Sequence, residues 1–156
     1  MRLALVLVAA WLGHGNTGAV LAAEMSPDAG AAAVPKLTTL TVEITGFRSD
    51  LGRATAAIYR TKESFLKSPE VTRTAKIAGG KATLVFEGLE PGALVVNGFH
   101  DENENGRLDT NWVGMPKEGT GISRDARGRM GPPKFDDARL ELSAGSQRIT
   151  FKLVYL

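Results

Sequence analysis

The sequence predicts an all-β domain, a seven-stranded antiparallel β-sandwich of immunoglobulin-like or prealbumin-like architecture carrying one long ordered loop. Three observations lead there. From Leu37 onward, apolar residues recur at every second position in short runs rich in Val, Ile and Thr, the period of half-buried strands. Turn residues punctuate these runs, as at Gly79-Gly80, Pro91-Gly92 and Gly145-Ser146. Between residues 101 and 137 the alternation stops, and irregular segments of that length in compact domains are usually functional or disordered.

The first segment is set apart from the domain. Met1 and Arg2 form a positive start, Leu3 to Leu12 an apolar run too short to span a bilayer comfortably, and Ala19, Ala22 and Ala23 a small-residue cleavage region. Residues 1–23 are therefore expected to be a signal peptide, cut near Ala22 or Ala23, and residues 24–36 a flexible Ala, Gly and Pro tether. The domain is expected over residues 37–156, secreted or periplasmic, with no transmembrane span in the mature form. Cysteine is absent, so no disulfide, thiolate nucleophile or zinc-thiolate site is available. A formal charge of +2 gives no reason to expect nucleic acid as a partner.

Each strand has its own signature. LTTLTVEITG places Leu40, Val42 and Ile44 on one face, and GRATAAIYR does the same with Ala54, Ala56 and Ile58. TKESFLKS, ahead of Pro69, predicts one or two helical turns opened by a hydroxyl cap. TRTAKIA and KATLVFEG flank Gly79-Gly80, a pair suited to the positive φ of a tight hairpin. ALVVNGFH follows the Pro91-Gly92 turn and delivers the irregular segment, and ARLEL and QRITFKLVY complete the set.

The chemistry concentrates at the start of that segment, in HDENENGRLDTN. Asp101, Asn103 and Asn105 alternate, Gly106 occupies the position of a sharp turn, and Asp109 follows after the backbone carbonyl of Arg107. Oxygen donors at that spacing suit calcium, which takes six to eight oxygens from a curling loop. The twelfth loop position holds Trp112 where an EF-hand needs a bidentate Glu, and the flanks read as strand and loop, so a full EF-hand is rejected. What remains is a DxNxNGxxD loop with calcium as the expected cofactor, its shell completed by water, backbone or a later carboxylate such as Glu118, Asp125 or Asp136. The alternative is a solvated turn whose Asn and Asp side chains bond their own backbone.

Around the loop, His100, Asn111, Trp112, Glu118, Arg127 and Phe135 are expected to shape a binding surface, with His100, at a strand's end, expected to hydrogen-bond a loop backbone and a general base as its alternative role. Trp112 is expected to plug the core beneath the segment, with a sugar-stacking platform as the alternative. Val113, Met115, Ile122 and Met130 also favour burial, and Phe135 is expected buried behind two stiffening prolines. An enzyme is the rival class. The mature chain has one histidine, His100, so a serine triad would have to join it to Ser123, and a glycosidase would draw its carboxylate pair from among Asp101, Asp109, Glu118, Asp136 and Asp137. No GxSxG elbow or phosphate-binding glycine loop is present.

HDENENGRLDTNWVGMPKEG followed by SRDARGRMGPPKFDDA closely resembles the defining stretch of a family of secreted bacterial proteins, domain of unknown function 2141. The pattern covers His100, Asp101, Asn103, Asn105, Gly106, Asp109, Asn111, Gly114, Pro116 and Glu118, then Ser123 and Pro132-Pro133 with Phe135. The resemblance implies export and a β-sandwich and assigns no activity. The functional expectation is a non-catalytic secreted or periplasmic module with a calcium-stabilised loop, binding a glycan, an envelope component or a protein. The alternative is a His100- or carboxylate-dependent hydrolase acting on envelope substrates.

Overall fold

A computed structural model of the chain describes residues 36–156; the expected signal peptide and nearly all of the tether lie outside the described residues. Eight strands form two sheets: β1 (Thr38–Thr45), β2 (Arg53–Tyr59), β3 (Val71–Lys76), β4 (Lys81–Leu89), β5 (Gly92–Asp101), β6 (Thr120–Ile122), β7 (Leu140–Leu142) and β8 (Gly145–Lys152). One sheet has the order β4-β1-β8; the other runs β3-β2-β5-β6, with β7 also paired to β5.

The period-two reading located the long strands and their inward faces. Leu40, Val42 and Ile44 are fully buried, and Ala82, Leu84 and Phe86 of β4 alternate with exposed neighbours. They meet Ala54, Ala56, Ile58, Leu94, Val96 and Phe151 in one core shared by both sheets. Burying each Leu, Val, Ile or Phe contributes about 1.5–3 kcal/mol, so this core dominates the stability of the domain.

Two expectations about the sheets are corrected. The described residues hold eight strands, because β6 is three residues long and too short to show a period. Nor is the fold wholly antiparallel: β1 pairs with β8 in parallel, Thr38 opposite Gly145 through Thr45 opposite Lys152. Alternation reveals which face a strand buries but carries no sign for its direction.

Strand β2 is buried on both faces, which its alanines permit. Behind it lies a second cluster of Ala57, Tyr59, Val95, Ile122, Phe135 and Ala138, with Phe65 packed against it. The rings of Tyr59, Phe65 and Phe135 meet edge to face at centroid separations of 5.6 and 5.8 Å. Phe135 opens α1 (Phe135–Ala138), so this segment is anchored by its aromatic residue as expected. The helix expected at residues 61–68 is instead a set of turns. Thr61 caps the first through its hydroxyl, and the Phe65 amide bonds the Thr61 carbonyl, but Leu66 at φ 58° breaks the run.

The Gly79-Gly80 turn is as anticipated, with both residues at positive φ and Ala78 bridged to Lys81. Asp50 caps it, its two carboxylate oxygens accepting the amides of Gly79 and Gly80 at 2.8 Å each. The Gly80 amide first, then that of Gly79, holds the Asp50 carboxyl below its ordinary value. A depressed folded-state pKa gives a contribution that is full above the ordinary carboxylate value, about 3.9, and is lost as pH falls through the lowered folded one. Asp50→Ala is therefore expected to flatten the acid limb of stability against pH, read by thermal unfolding across that range, while changing the slope near neutrality little.

Candidate functional site

Strand β5 ends at Asp101 and β6 begins at Thr120, so the segment between them leaves and re-enters one sheet on adjacent strands. The two stems are tied where they diverge. The His100 amide donates to the Gly119 carbonyl at 2.9 Å. Glu118 then joins both sides: Oε1 accepts the Glu102 amide and Oε2 the Asp109 amide, each at 2.9 Å. Glu118 is 5% exposed, and these two charge-assisted bonds satisfy a carboxylate that burial would otherwise penalise heavily.

Within this clamp the acidic turn folds on itself. Asp101, 2% exposed, accepts the Asn105 amide on Oδ1 at 3.0 Å and the Gly106 amide on Oδ2 at 2.8 Å. Gly106, at φ 76°, supplies the turn its place in the spacing predicted. The Asp109 carboxylate faces back across the loop, accepting the side-chain amide of Asn103 at 2.8 Å and that of Asn105 at 3.0 Å. The oxygens of those amides accept backbone N–H groups two residues on, Asn105 and Arg107. All four oxygen-bearing side chains singled out from the spacing thus belong to one hydrogen-bonded cluster, in which Asx-type backbone contacts are also made. Among the described residues, no group of three or more His, Asp or Glu side chains is placed to hold a metal, so an ion here would depend on two carboxylates plus amide and carbonyl oxygens.

Beyond Asp109 the chain forms a small hairpin. The Lys117 amide donates to the Asp109 carbonyl at 2.9 Å, Thr110 bridges Pro116, and the Asn111 amide donates to the Met115 carbonyl at 2.8 Å. Asn111 also organises the tip, its side-chain oxygen accepting the amides of Val113 and Met115 at 3.0 and 2.9 Å. The tip projects from the fold: Trp112 is 96% exposed, Val113 56% and Met115 46%. This overturns the expectation that Trp112 plugs the core. The tip is held by the hairpin's own backbone bonds and not by packing against the core. Met130 is likewise fully exposed, contrary to expectation.

A family model described as "Uncharacterized protein conserved in bacteria (DUF2141)" matches residues 42–150. The chain belongs to this family. No curated protein and no solved structure matches it. The DUF2141 match runs from within β1 to within β8 and so includes the whole acidic loop and hairpin.

In this DUF2141 protein His100 is fully buried, with both ring nitrogens engaged: Nε2 donates to the Leu51 carbonyl at 2.7 Å, and Nδ1 meets the Tyr155 hydroxyl at 2.8 Å. Because the Leu51 oxygen only accepts, Nε2 carries a proton, and the Tyr155 hydroxyl partners the other ring nitrogen. Burial raises the Tyr155 pKa and keeps that hydroxyl protonated for the task. Arg48 lies over the Tyr155 ring at 4.8 Å and pairs with Glu102, whose Oε1 stands 3.5 Å from His100 Nδ1 without a hydrogen-bond partner. His100 therefore ties the loop root to the β1–β2 turn and the C-terminus, and it offers no surface to a ligand.

Ser123 is also internal, its hydroxyl donating to the Ala138 carbonyl at 2.6 Å and accepting the Val96 amide at 3.2 Å. A serine–histidine pair is not assembled from it and His100. Asn111 and Glu118 act on backbone amides, Phe135 is buried in the second cluster, and Arg127 is exposed. Of the acids near the arginines, Asp125 accepts the Lys152 amide and Asp136 pairs with Lys62 at 2.6 Å. Sequence reasoning missed Tyr155 and Arg48, since Tyr155 reads as one more alternating residue of the last strand and Arg48 as a turn cation.

Proposed function

We propose that this protein is an exported, non-catalytic β-sandwich module of immunoglobulin-like or prealbumin-like type. In this reading a calcium ion fixes the 101–109 loop, and the ordered loop and hairpin form a binding face for a glycan, envelope component or protein. The observation that carries the reading is the convergence of Asn103 and Asn105 on the Asp109 carboxylate, opposite the amide-bound Asp101.

Lone-pair counting supports it. A carboxylate accepts at about four sites, and each oxygen of Asp101 and of Asp109 uses one with protein donors, leaving capacity for a cation. Turning the Asn103 and Asn105 amides about their side-chain axes would bring their oxygens toward Asp109 and give up the two backbone N–H bonds those oxygens now accept. That arrangement is repulsive unless a cation lies among the oxygens. The Arg107 carbonyl is the remaining donor expected from the spacing.

At an affinity of about 0.1–1 mM, usual for extracellular modules, roughly 2 mM calcium would stabilise the fold by about 0.6–1.8 kcal/mol. Scanning calorimetry is expected to show that gain, its reversal by chelator, and its loss in Asp109→Ala. An unchanged unfolding midpoint in saturating calcium, or an equal response from Asp109→Ala, overturns the calcium site.

A further inference from the structure

The hairpin tip is apolar in a way the acidic loop behind it is not. Of the four residues between Asn111 and Pro116, three are large and apolar and exposed, and the fourth, Gly114 at φ 81°, presents no side chain. The only polar side chain bordering them, Asn111, has its oxygen committed to two backbone amides. Trp112 therefore stands on a stiff stalk with its indole N–H as the tip's main polar contact. Stiffness matters, because a preorganised tip loses little conformational entropy when it is buried.

The tip's chemistry narrows its partner. A sugar ring stacked on Trp112 would need flanking hydrogen-bonding side chains, and residues 112–115 supply none beyond the indole. A protein partner or second copy needs about 800 Å² per side, whereas Trp112, Val113 and Met115 together offer at most about 500 Å². A bilayer interface sets no such threshold. It accepts a protruding wedge of this composition, with Trp at the headgroup level and Val and Met beyond it. Charge agrees: residues 110–117 contain no acid and end in exposed Lys117, while Asp109 and Glu118 behind them are bound to protein donors.

We propose that the Trp112–Met115 tip is a membrane-insertion wedge that seats the domain on the interfacial region of a phospholipid bilayer. This names a partner class for the binding face proposed above and rests on that reading, but it does not require the calcium ion.

The test uses the exported form that begins after the expected signal peptide, in which Trp112 is the single indole. It is mixed with vesicles of phosphatidylethanolamine and phosphatidylglycerol whose acyl chains carry bromine. The expected result is a blue-shifted Trp112 emission, quenched by the bromine and shielded from aqueous iodide. Val113→Asp is expected to weaken this response at least about tenfold, since it sets a charge into the wedge, with the unfolding midpoint unchanged. Emission that stays solvent-like and iodide-accessible on vesicles overturns the proposal, as does a response confined to soluble oligosaccharides. A calcium-dependent midpoint together with solvent-like emission would remove the wedge and leave the loop's metal site standing.

Discussion

Glu118→Ala is expected to lower the free energy of unfolding by about 3 kcal/mol, measured by urea denaturation in the presence of chelator. The change removes one carboxylate and leaves two backbone amides, Glu102 and Asp109, without their acceptor. Leaving a buried donor unpaired costs about 1–3 kcal/mol, and partial access of water to both residues holds the sum for the two in the lower half of about 2–6 kcal/mol. Glu118→Gln is expected to retain part of the loss, because one oxygen still accepts while its NH2 group faces an N–H. A loss below about 0.5 kcal/mol for Glu118→Ala would show that water replaces the carboxylate and that the loop root is held by other contacts.

Gly98→Val is expected to be at least as damaging, about 3 kcal/mol or more, with a large fall in thermal midpoint. The reason is space and not backbone conformation. A Cβ at Gly98 would stand 2.7 Å from Ile44 Cδ1 and 3.0 Å from Phe151 Cζ, inside the layer where the two sheets meet. Both neighbours are fully buried or nearly so and have nowhere to move. Combining Gly98→Ala with Phe151→Leu is expected to cost less than the sum of the two single changes, since the groups are in direct contact. Strict additivity would indicate that the sheets adjust their separation independently of this contact.

How much of this was legible beforehand depended on the kind of signal. The inward faces of β1 and β4 followed from alternation, because a strand repeats the same burial decision at every second residue. The Gly79-Gly80 hairpin and the Gly106 turn followed from stereochemistry, since both need φ values that glycine tolerates. The spacing of Asp101, Asn103, Asn105 and Asp109 pointed to a cation loop, and the contacts these side chains make with one another and with the loop's amides are those of the alternative, an Asx-rich turn.

Other features had no local signal. The parallel β1–β8 pairing joins residues more than a hundred positions apart, and nothing in either strand encodes direction. Trp112 was expected inside because Trp is usually well buried, yet hairpin geometry outweighed that tendency. The role of His100 as an internal tie depends on Leu51 and Tyr155, which the sequence holds far from it and the fold brings into contact.

That β1 lies beside β8 has a further consequence, for the order in which the chain matures. A growing polypeptide holds both strands of the β1–β4 pair once Leu89 has emerged, but β1 stays bare along its other side until Gly145–Lys152 is made. Phe151, which closes the layer over Gly98, is synthesised well after it. A nascent chain stalled short of residue 145 therefore keeps an open strand edge and a hole in its interior, and is expected to aggregate or be degraded before it persists as a smaller stable domain.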